Sequence, residues 1–355
     1  MKKTLVALAA VAATSAAFAE VKISGFIDKA YNRNAVTTAA GAKTSSTNLG
    51  QNAIGQDQIT FAISEDLGDG MTAYANIRFQ PDITAGGTAY PGSSVLNDMS
   101  NVGIKGAFGN VQFASDYGTT WYTANMADAS GWGTGAGNVH GPLVGGTNDA
   151  IIYTLPTMVQ GLGVTVASVA GGDATGKGAG NATAYLLSYG IGALNIQYAG
   201  ARGKTSSTAG SLSKWATSSN VGTNPAAGVT ASVTEDITAG STGTSNALAV
   251  TYDLGMAKLY FGTTSGKSGG DADQKASSSI YGVSIPFGAA SIGIASSSAS
   301  RTAADTTEQK ETGMRLLAKY ALSKRTTAYL QNGTSKVSGT TRATTSTGLG
   351  LIHNF

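Results

Sequence analysis

MTAYANIRFQ, residues 71–80, alternates without a break. Met71, Ala73, Ala75, Ile77 and Phe79 share one parity, while Thr72, Tyr74, Asn76, Arg78 and Gln80 share the other. Successive side chains of a β-strand point to opposite faces, so this segment has one apolar and one polar face. Immediately before it, Leu67-Gly68-Asp69-Gly70 carries hairpin turn chemistry, because an Asp-Gly pair tolerates the positive φ angles of a tight turn. Residues 58–66 supply the partner strand, and 58–80 reads as one hairpin.

The unit recurs along the chain. Phe108-Gly109-Asn110 joins 101–107 to 111–116, and comparable turns fall near 159–161, 190–193, 253–256, 286–289 and 321–324. Seven hairpins, with a first strand at 21–32 and a last at 345–355, make sixteen strands. An even number allows a chain that runs up and down to bring its last strand beside its first. Between the hairpins lie long segments rich in Ser, Thr, Gly and Ala, at 33–56, 117–147 and 202–245. Short turns at one end and long loops at the other is the asymmetry of outer-membrane barrels.

Period-two patterning alone does not say whether the apolar face packs inward or meets lipid. Size favours lipid: a single sheet of sixteen strands closes around a lumen too wide for side chains to fill. Closure also satisfies every backbone polar group in a bilayer. The expectation is an all-β, 16-stranded antiparallel transmembrane β-barrel with long extracellular loops and short periplasmic turns. Phe61, Phe79, Tyr189, Tyr198, Tyr320 and Phe355 lie near strand ends, where aromatic girdles meet the headgroups.

Composition agrees. Only 12% of the 355 residues are charged, Gly reaches 49, and there is no cysteine, which excludes disulfide and thiol chemistry. No run of eighteen apolar residues marks a transmembrane helix. Residues 1–19 read as a cleaved export signal, with Lys2 and Lys3, an apolar centre at 5–11 and the small-x-small pattern Ala17-Phe18-Ala19. The barrel domain is expected to span 20–355. Without Lys2 and Lys3, 21 of the 23 basic residues face 20 acidic ones, a net charge of about +1 that implies no nucleic-acid partner. His140 and His353, the only histidines, suggest neither a metal site nor a catalytic base, and no cofactor is expected. GWGTGAGN at 131–138 lacks the lysine and the strand-to-helix context of a phosphate loop.

Several segments carry a resemblance: VKISGFIDKAYN at 21–32, EDLGDGMTAYANIRFQ at 65–80, NVGIKGAFGNVQFA at 101–114, YTLPTMVQGLGV at 153–164, YALSKRTTAYLQ at 320–331 and GLGLIHNF at 348–355. In this order they resemble the Gram-negative general porins, especially beta-proteobacterial outer-membrane porins, across the strands and not in the loops. The resemblance implies a water-filled channel for passive diffusion of ions and small hydrophilic solutes. It also implies a homotrimer in the outer membrane, bounded by lipid and lipopolysaccharide, and a third long loop folded into the lumen. Phe355 is then part of the terminal signal read by the outer-membrane assembly machinery.

Placing the polar parity inside puts Arg78, Lys22, Asp28, Lys105, Asp116, Arg315 and Lys319 on the lumen side. Arg78 sits in the cleanest alternation, although a charge near a strand end could instead reach the headgroups. The resemblance makes 117–147 the third loop, where acidic groups would face a basic wall. Here the loop holds only Asp128 as a carboxylate, with Asp116 and Asp149 at its borders. Ser115 and Asp116, then Gly146 and Ile152, stand where related chains often carry arginine, so no strong anion preference is expected. Trp121, Tyr122 and Trp132 read as rings that anchor the loop, or as an aromatic patch for a solute. The alternatives are a substrate-specific outer-membrane channel, a barrel hydrolase and an adhesin or autotransporter.

Overall fold

From the third strand onward each strand is hydrogen-bonded to the next in sequence, the first pairs with both the second and the third, and the last returns to the first. The structure is a computed structural model that describes residues 19–38, 40–50, 57–81, 99–116, 118–130, 148–169, 182–204, 242–267, 275–302 and 309–355. In chain order the elements begin β1 (Glu20–Thr37), β2 (Lys43–Gly50), β3 (Gln58–Gly68), β4 (Met71–Phe79), β5 (Met99–Gly106), β6 (Gly109–Asp116) and helix α1 (Thr119–Met126). They continue β7 (Asn148–Thr154), β8 (Leu162–Val169), β9 (Ala182–Ile191), β10 (Leu194–Lys204), β11 (Thr242–Asp253) and β12 (Lys258–Lys267). The last are β13 (Lys275–Phe287), β14 (Ala290–Thr302), β15 (Gln309–Ala321), β16 (Thr326–Val337) and β17 (Ala343–Asn354).

Seventeen segments make sixteen crossings, because β1 pairs along its lower part with β3 and along its upper part with β2. The second crossing is thus made by β2 and β3 together. The sequence expectation ended β1 at residue 32 and placed 33–56 in a loop, and the structure corrects both. KTSSTNLG has no apolar alternation and so reads as loop, yet its backbone pairs with the free edge of β1 from Ala30 to Thr37. Just before β3, the Asp28 N–H donates to Asp57 Oδ1 at 2.7 Å, and Lys29 Nζ meets Asp57 Oδ2 at 2.6 Å, so a side chain accepts this backbone hydrogen of β1.

The β3–β4 turn follows its sequence. Asp69 and Gly70 have φ of 52° and 73°, and Gly68 pairs with Met71 across them, a two-residue turn of the primed type. The sheet closes where β17 pairs with β1, and Gly25 and Phe355 exchange two backbone hydrogen bonds of 3.1 and 3.0 Å. A Cβ on Gly25 would collide with the Gln58 carbonyl oxygen and stand 2.8 Å from the Phe355 ring, so the glycine leaves room for both the β3 backbone and the terminal aromatic.

The two faces differ sharply. The outer face exposes large apolar side chains, among them Val102, Phe113, Ile151, Leu259, Met314 and Leu351. Phe61 and Phe79 stack edge to face there at 5.6 Å, and Tyr189, Tyr198 and Tyr320 are exposed on the same side. On the inner face the buried apolar residues are mostly alanines, as at Ala30, Ala199, Ala247, Ala249 and Ala295. Small and polar residues inside with large apolar ones outside invert a soluble protein. Among the described residues no helix is long and apolar enough to cross a membrane.

Candidate constriction and lumen wall

The chain after β6 turns inward rather than away. Gly118 opens α1, which lies against β9, β10, β11 and β12, and Thr119 Oγ1 donates to the Tyr185 carbonyl at 3.3 Å. Ala127, Ala249, Ile280 and Ala295 form one buried cluster with Met126 beside it, and the loop thereby packs on the inner wall. Beyond the helix, Asp128 Oδ1 accepts the Ser130 N–H at 2.8 Å and its hydroxyl at 2.6 Å, a local turn that fixes 128–130.

The charges expected in the lumen fall into three groups. Arg78, on β4, and Asp116, at the end of β6, meet at the loop through Tyr122. The Tyr122 hydroxyl donates to Asp116 Oδ1 at 2.7 Å and is also within hydrogen-bonding reach of the Arg78 side chain. The Trp121 and Tyr122 rings pack edge to face at 5.2 Å. Burial, and then the Asp116 carboxylate, push the Tyr122 hydroxyl well above its ordinary value of about 10. Docking of the loop thus favours the neutral phenol. That preference costs nothing below pH 10 and weakens docking as pH rises past 10, where a released Tyr122 ionises first. Current noise through single channels is expected to grow above about pH 10 in wild type and much less in Tyr122→Phe; equal noise in both would dismiss Tyr122 as the alkaline trigger.

Lys22 and Lys105 form the second group. With Glu20, Tyr74, Asn76 and Asn110 they line a cavity of about 450 Å³ at the short-turn end of the barrel, away from α1. The Tyr74 hydroxyl lies 2.8 Å from both the Asn110 and Gln112 side-chain oxygens on this wall. Lys319 is exposed, close to the turn that follows β15, and shares the inner parity of Arg315.

The third group departs from the expectation that these charges meet pore water. Asp28 and Arg315 have 0% exposure. Asp28 accepts a hydrogen bond from the Tyr329 hydroxyl, Arg315 Nη2 donates to Gln331 Oε1 at 2.6 Å, and Asp28 and Asp128 both lie in the electrostatic neighbourhood of Arg315. Leu317 packs with Ala30 and Tyr329 in the same patch. Parity places a side chain on the inner face, but enclosure by its neighbours and the loop decides whether it touches solvent. Asp128 is 7% exposed for the same reason. Tyr329 and Gln331 were not singled out in the sequence, although their polar parity in YLQ beside Leu330 is the signal that finds them.

Other expectations fall outside the described residues: the export segment up to residue 18, and Trp132, His140 and the glycine run at 131–138. His353 is exposed near the end of β17 and shares a 2.9 Å hydrogen bond with Thr326. Among the described residues no group of His, Asp or Glu could hold a metal ion.

A further contact holds the loop. A Cβ built on Gly262 of β12 would meet the Ala127 Cβ at 2.4 Å, one on Gly282 of β13 would meet the Ala129 Cβ at 2.5 Å, and one on Gly293 of β14 would meet the Ala129 carbonyl oxygen at 2.3 Å. The loop runs close over three wall glycines.

A closed sheet with a greasy outer face, an inner face of small and polar groups, and a loop folded inside defines a transmembrane β-barrel channel. The chain belongs to the Gram-negative porin family, whose family model matches residues 4–340. It is an outer-membrane protein that forms a channel for passive diffusion. Solved structures agree on the fold. The anion-selective porin from Comamonas acidovorans is 19% identical, with a TM-score of 0.67 over 95% of this chain and 100% of that one. OmpT of Vibrio cholerae in its trimer form is 13% identical, with a TM-score of 0.67 over 95% and 99%. OmpF of Salmonella typhi, solved in complex with daunomycin, is 13% identical with a TM-score of 0.61 over 94% and 97%. No curated protein sequence matches the chain.

Proposed function

We propose that this porin is a general diffusion pore whose narrowest section is made by α1 and residues 127–130, with Arg78 and Asp116 as the charges at that section. The position of the loop on the inner wall carries this reading, because a segment lodged inside a wide barrel is what reduces its bore. Opposite charges bridged by Tyr122 leave a local net charge near zero, and a weak ion preference follows. Lys22, Lys105 and Lys319 sit at the short-turn mouth, where they attract anions to the vestibule without filtering them at the waist. Trp121 and Tyr122 pack on each other, which favours the anchoring role over a solute-binding patch. Single-channel recording in planar bilayers tests the reading. Conductance that rises in proportion to salt and is unaffected by added sugars supports a general pore, whereas saturation by one solute class would make it a substrate-specific channel.

The chain is further proposed to act as a homotrimer, as the trimer form of the Vibrio OmpT neighbour suggests. One outward row crosses four strands: Leu330 pairs with Leu349, Leu349 with Tyr31, and Tyr31 with Leu49. All four are exposed, Tyr31 and Leu349 by 61% each. Beside the row on the same outward parity stand Arg33, Lys29 and the hydrogen-bonded pair Asn332 and Thr347. Charges on a lipid-facing wall cost roughly 2–4 kcal/mol near the midplane, so a face that mixes them with large apolar groups suits contact with protein. Leu349→Arg is expected to yield monomeric barrels on native electrophoresis in mild detergent; an intact oligomer would move the interface to another face.

A further inference from the structure

Glycine is a poor strand former, since it adds entropy to the unfolded chain and no side chain to pack. Three glycines nevertheless occupy inward positions on consecutive strands. Gly262 pairs with Ile280, two residues before Gly282; Gly282 pairs with Ala295, two residues after Gly293. The three therefore step diagonally across β12, β13 and β14 on one face. Residues 127–130 lie along that diagonal, with Ala127 over Gly262 and Ala129 over Gly282 and Gly293. The loop side of the contact is also small, and Ala127 and Ser130 are fully buried in it.

We infer that this glycine diagonal is a seat that sets how far the third loop stands from the wall, and so sets the bore of the pore. The inference rests on the diffusion-pore reading and adds the residues that position its constriction. The gap is closed on both sides. A Cβ at Gly282 would lie 2.5 Å from the Ala129 Cβ, and ordinary carbon contacts begin near 3.5 Å, so the loop must withdraw toward the axis by about 1 Å. Backbone stands opposite Gly293, where the Ala129 carbonyl offers no flexible side chain that could swing aside. Asp128, between the two docked alanines, is held by the same seat in the neighbourhood of Arg315, so a displaced loop also shifts that charge.

The test is unitary conductance in potassium chloride of the full-length protein in planar bilayers. Gly282→Ala is expected to lower it, and Gly282→Ala with Ala129→Gly to restore it, because the second change removes the methyl that the first one meets. Ala129→Leu makes the same clash from the loop side without touching the wall, and is expected to lower conductance as well. Wild-type channels with Gly282→Ala and Ala129→Leu at wild-type conductance would overturn the seat while leaving the pore intact. A wild-type protein that forms no channels would instead remove the pore reading itself. Should Gly282→Ala fail to assemble, as judged by heat-modifiable mobility, recovery of assembly in the double variant supports the seat. Loss in both variants assigns the glycine to the wall alone and overturns it.

Discussion

Asp28→Ala is expected to destabilise the folded barrel by about 3 kcal/mol, read as a lower urea midpoint for unfolding from detergent micelles. The carboxylate is fully buried, accepts the Tyr329 hydroxyl and lies near the buried Arg315 guanidinium. Removing it leaves a buried cation with less opposing charge, and breaking such a pair typically costs about 3–5 kcal/mol. The low end applies because Asp128 remains in the neighbourhood of Arg315, and Gln331 still accepts its Nη2 hydrogen. Asp28→Leu combined with Arg315→Met should recover much of the loss, since an apolar replacement of both partners removes the uncompensated charge. Asp28→Ala within about 0.5 kcal/mol of wild type would mean that the cluster is hydrated and behaves as surface charge.

The second large effect concerns ion preference. Arg78→Ala is expected to shift the reversal potential in a salt gradient toward cations. Its side chain projects from the inner face of β4 to the Tyr122 hydroxyl, which itself donates to Asp116. Without the arginine, the carboxylate loses the positive group on the other side of Tyr122. A unit charge about 4 Å away in water is worth about 1 kcal/mol, which corresponds to roughly a fivefold change in the cation to anion permeability ratio. Asp116→Asn should move the potential in the opposite direction. An unchanged potential in Arg78→Ala would place that section of the wall away from the ion path and leave the waist elsewhere along 127–130.

These two charges show how far residue patterns reach. Arg78 is legible as an inward side chain, because Ile77 and Phe79 flank it on the apolar parity and β4 contains no bulge. Asp28 and Arg315 follow the same inward parity in less regular alternations, yet they are enclosed while Lys22 and Lys105 are open. Parity is a property of one strand, whereas enclosure depends on which strands meet across the sheet and on what the loop covers. Tyr329 reaches Asp28 from a position 301 residues away in sequence, a contact that exists only once β17 has closed onto β1.

The segment 43–50 marks the opposite case. Its serines and threonines carry no apolar rhythm, and a strand there is unreadable locally; it forms because the edge of β1 extends to Thr37 and needs a partner. The glycines at 262, 282 and 293 were equally silent, each an ordinary strand glycine until a loop from more than a hundred residues earlier is laid across them.

The sequence by itself determined the strand alternation, the Asp69-Gly70 turn and the count of crossings, because period-two patterning and turn chemistry act between neighbours in the chain, and that count in turn made the sheet too wide for its apolar face to pack inward. Only the tertiary structure decided the path of the third loop, the burial of Asp28 and Arg315, and the diagonal of glycines that receives Ala127 and Ala129. Those features arise from contacts between distant segments, whose spacing is set by closure of the whole barrel and not by any local preference.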